Sequence, residues 1–458
     1  MRAVNSWSYE RYRPAVHEND KIYINRTVPE DGKIRIYHDG GEGSEVFYRR
    51  KDSEDVWSRM LSAPDQVVID GLENEIDYEY YIRNGDRESP RGFARPGNVP
   101  GTVVNYLSMF DPKYKFSGQY LCTPCILSHP DGYLLASMDV YGKGTPQNLT
   151  LIFRSDDNGE NWYHLSELFP CFWGTLLLHR GEVYMLGTST EYGDLLVGKS
   201  SDGGKTWPPP TVLLRGACNR SGPGWHKSSN RVTKYRGRLW CAIDYGSHVS
   251  GGHASLLASV PADSDILNPC EWTFTEPLPY DPSWPGASVG DTRGFIEGNV
   301  IPGPDGKLYN FLRYNIDKGT PNHGLAGMLC ADADNPEAPL SFYKFITFPG
   351  NHSKFDVLRD DVTGKYYSIV SRIYSADLPK ARNLLSLISS PDLENWELVC
   401  DLIDYRDQDP KYFGFQYASF IICGDDILYL SRTAANGAHT YHDSNYITFH
   451  RIKNFREL

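Results

Sequence analysis

The sequence predicts an all-β protein: a six-bladed β-propeller over residues 96–458, preceded by a small β-sandwich over residues 1–95. Three observations lead there. The octapeptide pattern S-x-D-x-G-x-x-W occurs at Ser155 to Trp162 and again at Ser200 to Trp207, each time after an apolar strand-like run (Leu149 to Phe153, Leu195 to Val197). Its chemistry suits a tight turn: the Asp accepts from turn amides, the Gly takes positive φ, and the Trp anchors beneath. A shorter copy without the Gly stands at Ser390 to Trp396. Second, polar-Gly turns recur at Pro130-Asp131-Gly132, Arg180-Gly181, Arg236-Gly237, Pro304-Asp305-Gly306, Thr363-Gly364 and Gly424-Asp425. Third, no stretch shows helical periodicity.

Taken in order, Lys21 to Ile24, Lys33 to Tyr37, Glu45 to Tyr48, Val67 to Asp70 and Tyr78 to Arg83 are short strand-like runs split by turn residues, the spacing of a small antiparallel sandwich. The segment from Ser89 to Gly101 is rich in Pro and Gly and reads as a linker. Six repeats follow. Each is a strand, a polar-Gly turn, a second strand and a hairpin, the hairpins ending near Trp162, Trp207, Trp272, Phe342, Trp396 and Phe449. Spacings of roughly 45 to 70 residues fit four-stranded blades with insertions. Five or seven blades remain compatible, because the third and fourth repeats lack the turn motif.

Composition narrows the function. A net charge of −12 argues against nucleic acid and anionic membrane as partners. No run of about 18 apolar residues occurs, so no membrane span is expected. The start of the chain, Met1 to Trp7, lacks an apolar signal core, so a cytoplasmic location is expected. Nine cysteines, an odd number, sit partly inside apolar runs, as in Leu239 to Ile243, and read as buried free thiols. Cys122-Thr123-Pro124-Cys125 has neither a second pair nor a strand–helix context and is read as structural. His439 and His442 give an H-x-x-H spacing beside Asn445, but in a loop, so neither metal nor cofactor is expected.

The chemistry-bearing residues stand where the repeats place inner strands. Glu297 lies in Phe295 to Val300, and its second strand carries Arg313. Arg382 precedes Leu384 to Ile388, and Tyr417 with Gln416 lies in Phe415 to Phe420. These segments resemble the sialidase (neuraminidase) superfamily, whose blades carry such "Asp-box" turns (the BNR repeat). Glu297 followed by Asp305-Gly306 and Arg313 resembles its glutamate blade; Arg382 before Ser390 to Asp392 resembles its later arginine strand; Tyr417-Ala418-Ser419 before Gly424-Asp425 resembles its nucleophile strand. The likeness covers roughly residues 105 to 450. It implies that Tyr417 attacks an anomeric carbon, Glu297 takes the phenolic proton, and Arg313 and Arg382 bind an acidic group. The physical logic holds, since a phenol is a poor nucleophile until a carboxylate removes its proton, and guanidinium forks match carboxylates. The family's first arginine is absent: the aligned stretch is Cys122-Thr123-Pro124. Its acid/base aspartate lies in a first-blade loop, where Asp139 is nearest. The N-terminal ending Tyr78 to Arg83 is similar to fibronectin type III modules.

Further polar residues at strand ends mark a modified pocket: His226 and Lys227 on the third inner strand, Tyr192 closing a second strand in the second repeat, and Arg432 closing one in the sixth. Each has a structural reading on its own: Glu297 satisfying strand amides, the arginines as ion pairs between blades, Tyr417 as packing, His226 as a bonded strand end. Their joint order points instead to catalysis. The expected function is an exo-acting glycoside hydrolase on an oligosaccharide with an acidic sugar, with Asp139 or His226 as acid and Lys227, Arg432, Gln416 and Tyr192 lining the site. A lyase at uronic acids using His226, Tyr417 and Arg313 is the alternative, and a non-catalytic glycan-binding propeller the third. A homo-oligomer is compatible with all three.

Overall fold

The computed structural model describes residues 20–217, 222–249, 251–320, 323–350 and 352–458. The start of the chain, Met1 to Trp7, and Cys218 lie outside the described residues. Among the described residues the strands from Thr102 onward form six antiparallel sheets, five of them built from consecutive stretches of chain. Their first strands are Tyr120–Ser128, Phe172–His179, Gly224–His226, Val289–Pro302, Val357–Arg359 and Gly414–Cys423. These first strands converge. Ser229 Oγ donates to Pro124 O at 2.7 Å, joining the third sheet to the first, and Arg231 Nη2 donates to Phe420 O at 2.7 Å, joining the third to the sixth. The Ile126 amide donates to Ser419 Oγ at 3.3 Å, closing the sixth onto the first. These are the sheets of a β-propeller.

One expectation needs correction. The sixth repeat does not finish with its own hairpin near Phe449. Phe449 lies inside the third strand of that sheet, Tyr446–Ile452, and the fourth strand is Thr102–Tyr106, from just after the Pro/Gly segment. The two ends of the propeller chain therefore share one sheet, and backbone hydrogen bonds close the ring. Pairing so distant in sequence leaves no local signal.

The turn motif holds its fold through the residues that define it. In the first copy Asp157 Oδ1 accepts from Ser155 Oγ and the Asn161 amide, both at 2.8 Å, and Trp162 Nε1 donates to Gly159 O at 3.1 Å. In the second, Asp202 Oδ1 accepts from Ser200 Oγ at 2.8 Å and from the amides of Lys205 and Thr206 at 3.0 and 2.9 Å. The shorter copy does the same without glycine, because Leu393 takes the left-handed conformation at φ 70°. The three indoles are thereby pinned at sheet edges, Trp162 and Trp207 among buried side chains.

Residues 24–94 form two further sheets: Ile24–Glu30, Lys33–His38 and Gln66–Asp70 in one, and Ser58–Leu61, Glu45–Arg50 and Tyr78–Asn84 with two short strands in the other. The strand expected at Lys21 to Ile24 begins instead at Ile24 and runs through Pro29, tolerated because the strand is at a sheet edge. Ile34, Ile36, Val46, Ile69 and Ile82 share one core with Val103, Tyr106 and Tyr446 of the propeller. Arg26 is buried at that junction, its Nε donating to Val104 O at 3.0 Å, Nη2 to Val103 O at 2.6 Å, and Nη1 to Trp162 O. Among the described residues no helix is long and apolar enough to cross a membrane.

The eight described cysteines are all free; Cys122, Cys125, Cys171 and Cys241 are buried, whereas Cys270 is exposed. The turn geometry makes a direct prediction. Asp202→Ala removes the acceptor of two turn amides and should lower stability by about 1–2 kcal/mol, by analogy with loss of a helix cap. Urea unfolding of both proteins checks it, and an unchanged midpoint would show that the turn does not depend on this carboxylate.

Candidate functional site

Four inner strands share one irregularity. In each, three residues step past two on the neighbouring strand: Cys122 to Cys125, Phe172 to Thr175, Ile296 to Asn299, and Gln416 to Ser419. That is one extra residue, a β-bulge. The residue at the bulge has positive φ: Thr123 at 46°, Trp173 at 53°, Glu297 at 58° and Tyr417 at 54°. Non-glycine residues rarely hold this conformation, and it swings the side chain off the alternation of the strand. All four side chains line one cavity of about 370 Å³. The next residue is small or Pro in each case, and at Gly298 a Cβ would stand 2.0 Å from Asn310 Oδ1, so that the Asn310 side chain would have to move.

The second strands contribute their ends to the same cavity. Arg313 pairs with Ile296, and Arg432 with Gln416, each just before the bulge. Arg313 Nη1 donates to Glu297 Oε2 at 2.7 Å and to Tyr417 Oη at 2.9 Å, so one nitrogen joins the carboxylate and the phenol. The guanidinium carbons of Arg432 and Arg382 stand 5.1 and 5.9 Å from the Tyr417 ring centre. Arg382 is held by Gln416 Oε1 and by His352 O at 2.5 Å, and Arg432 by His442 O. The Nε atoms of Arg313, Arg382 and Arg432 are buried without a hydrogen-bond partner.

The electrostatics follow from this crowding. Burial alone pushes the Glu297 carboxyl up, but Arg313, His226 and a hydrogen bond from Tyr417 outweigh it and hold the group below the usual carboxylate range. Burial, reinforced by Glu297, pushes the Tyr417 phenol up against the pull of the three arginines. Burial lowers Arg382 to about 10. His226 sits opposite, its Nδ1 3.1 Å from Asp244 Oδ2, which makes Nδ1 the donor and leaves Nε2 as the nitrogen available to the cavity. Burial and the neighbouring His226 and Arg293 push His248, on the same wall, down to about 4.

Of the residues expected from sequence, Tyr417, Glu297, His226, Arg313, Arg382 and Arg432 meet at this cavity. Four do not line it. Asp139 is fully buried, its Oδ1 accepting from Thr150 Oγ1 of the neighbouring strand at 2.5 Å, although it pairs with Cys122 just before the bulge, as Arg313 pairs with Ile296. Lys227 is buried and its Nζ is spent on Trp173 O, Thr175 Oγ1 and Ser228 O at 2.9, 2.6 and 2.7 Å. Gln416 lies behind Arg382, joining it to Tyr441 O. Tyr192 is buried, its hydroxyl accepting from the His248 amide at 3.2 Å. Sequence reading missed Thr123 and Trp173 as bulge residues, along with Lys143, Gln147 and His248. A signal for the first two existed: Thr123-Pro124, Trp173-Gly174, Glu297-Gly298 and Tyr417-Ala418 fall at the same place in their repeats. Among the described residues no group of three or more His, Cys, Asp or Glu side chains is arranged to hold a metal ion.

No protein-family model and no curated protein matches this chain. Among solved structures it is similar to the α-L-arabinanase of Penicillium chrysogenum complexed with arabinobiose, at TM-score 0.52 and 14% identity, covering 79% of this chain and 100% of that one. A Hadza microbial sialidase aligns at TM-score 0.52 and 12% identity over 97% of this chain and 95% of its own. The leech intramolecular trans-sialidase complexed with 2,7-anhydro-Neu5Ac aligns at TM-score 0.50 and 9% identity over 97% and 94%. At such identities the likeness is one of fold: the chain has the sialidase-like β-propeller fold.

The burial of Asp139 makes a prediction. Burial lifts its carboxyl from 3.8 to about 7, against the hydrogen bonds of Thr123 and Thr150. A raised carboxyl means that folding takes up a proton, so stability is greatest below the unfolded value and falls as pH rises through this window. Asp139→Asn removes the ionisation. Its melting temperature, measured between about pH 4 and pH 7, should fall less steeply than that of the wild type; parallel curves would show that Asp139 ionises freely.

Proposed function

We propose that this protein is an exo-acting glycoside hydrolase that releases an acidic sugar from an oligosaccharide, with Tyr417 as nucleophile and Glu297 as its base. The observation that carries the proposal is the shared Arg313 nitrogen, bonded to both side chains at the floor of a cavity ringed by two further arginines. Glu297, held below the usual carboxylate range, is ionised near neutral pH and fit to accept the phenolic proton. Tyr417 Oη then bonds to the anomeric carbon as the glycosidic C–O bond breaks. The departing oxygen takes a proton from Nε2 of the doubly protonated His226 ring, which keeps its Nδ1 proton on Asp244. Water completes hydrolysis by the reverse path, with His226 as base.

Three guanidiniums support an acidic substrate. The arginine that the sialidase superfamily carries on its first blade is missing at Cys122-Thr123-Pro124, and Arg432 of the last sheet restores the number to three around Tyr417. A cavity of about 370 Å³ suits a single terminal sugar more than a long chain. His226 is favoured over Asp139 as acid, since only His226 lines the cavity. The architecture proposed is a six-bladed propeller of residues 96–458 with Asp-box turns, carrying a fibronectin III-like sandwich within residues 1–95. The six sheets support the blade count.

A second reading has its own support. His226 with Asp244, Tyr417 and Arg313 in one cavity would also serve a lyase at uronic acids, the arginine acidifying the C–H next to a carboxylate and His226 taking the proton.

Purified protein offered acidic and neutral oligosaccharides should produce new reducing ends without ultraviolet absorbance. Tyr417→Phe should abolish this while leaving substrate binding, and retained turnover would remove Tyr417 from the chemistry. An absorbing product would move the assignment to the lyase, and silence on every glycan to a binding propeller. Glu297→Gln and His226→Gln should each cost about 10²–10⁴-fold in kcat, whereas Asp139→Asn should stay within about tenfold of wild type; the reverse ranking would make Asp139 the acid.

A further inference from the structure

The bulges that aim Thr123, Trp173, Glu297 and Tyr417 into the cavity leave backbone carbonyls off the ladder, inside the protein. Each must find a donor. Three of the donors come from one segment, Lys227 to Asn230 of the third sheet. Lys227 Nζ donates to Trp173 O, Ser229 Oγ to Pro124 O, and Asn230 Nδ2 to both Glu297 O and Gly298 O, at 2.7 and 2.5 Å. Lys354 Nζ serves Ala418 O at 3.3 Å in the same way. At Glu297 the other side of the residue is held too: its amide donates to Asp244 Oδ2 at 3.0 Å, the oxygen that also holds His226. Both Asn230 and Asp244 are buried to within a few per cent.

We propose that Asn230 and Asp244 are positioning residues, which clamp the carbonyl and the amide of Glu297 and so hold its carboxylate on Arg313 and Tyr417. Neither touches the cavity that receives substrate. The amide orientation of Asn230 is forced, because its Oδ1 turned toward Glu297 O and Gly298 O would set three acceptors together. Asp244 does double duty, since one oxygen holds both the His226 ring and the Glu297 amide. The catalytic consequence rests on the proposed function; the clamp itself does not.

The experiment separates the two. Glu297 is followed by carbon NMR in protein labelled at glutamate carboxyls, its resonance assigned by its loss in Glu297→Gln. No substrate is needed. The groups facing that carboxylate are Arg313, His226, Tyr417, Asp244 and, further off, His248. Asn230→Ala removes both donors without altering any of them. The Glu297 titration should then move up by roughly half a pH unit or more, as its contact with Arg313 loosens while burial continues to oppose the charge. Should that variant fail to fold, Asn230→Ser, with a single donor on a shorter arm, is read in the same way. A folded variant in which Glu297 titrates as in wild type overturns the clamp. In turnover, kcat should fall about tenfold or more with KM within about threefold, the pattern of a displaced catalytic group. A titration shift with no turnover in wild type on any glycan would leave the clamp standing and reject the hydrolase.

Discussion

The site depends on a single backbone constraint, one extra residue in the inner strand of four sheets. A regular strand alternates its side chains between the two faces of a sheet, and in a propeller both faces pack against neighbouring sheets. Such a strand offers nothing to the space at its end. The bulge breaks the alternation at one position and rotates the left-handed residue out of the sheet, so that Thr123, Trp173, Glu297 and Tyr417 reach one cavity from four directions. Strain of this kind is held only where surrounding contacts over-determine it. The buried donors of the third sheet and Lys354 are those contacts.

Charge organises the cavity once the bulges have aimed the side chains. Three arginines, one glutamate and one tyrosine are buried together, an arrangement that would be costly if any group stood alone. The cost is met by mutual pairing: Arg313 joins Glu297 and Tyr417, while Arg382 and Arg432 are held by carbonyl oxygens that direct their guanidiniums without neutralising them. The result is a cavity in which Arg313, Arg382, Arg432 and Lys143 outnumber the two carboxylates, Glu297 and Glu191. Asp244 gives the neutral His226 ring a defined tautomer, with Nδ1 as the donor. The N-terminal sheets take no part in this cavity. They share a core with the closing strand of the sixth sheet, where Arg26 ties them to the backbone of Val103 and Val104.

Much of this was legible in the sequence because it is local. The turn motif encodes its own hydrogen bonds, since Asp157 and Asp202 reach amides only a few residues away. The polar-Gly turns punctuated the strands, so the repeat, the all-β class and the inner strands carrying Glu297 and Tyr417 could be read directly. Arg313, Arg382, Arg432 and His226 were readable as strand-end residues for the same reason, their place in a repeat giving their height in the sheet.

What the sequence by itself determined is therefore the set of elements and which residues stand near their ends. What only the tertiary structure decided is which way those residues face and what they meet. Asp139 and Arg313 occupy matching places on second strands, yet Asp139 lies in a closed contact with Thr150 while Arg313 reaches the cavity, because the bulge partner in one sheet is a threonine and in the other a glutamate. Lys227 looked like a substrate ligand and is consumed by carbonyls that a bulge in the neighbouring sheet left without partners. Trp173, which no motif in the sequence marks, lines the site. Closure of the ring by Thr102–Tyr106 joins residues more than three hundred positions apart. These outcomes depend on pairings between sheets and on one extra residue per strand, and neither leaves a pattern within the short windows where strands and turns announce themselves.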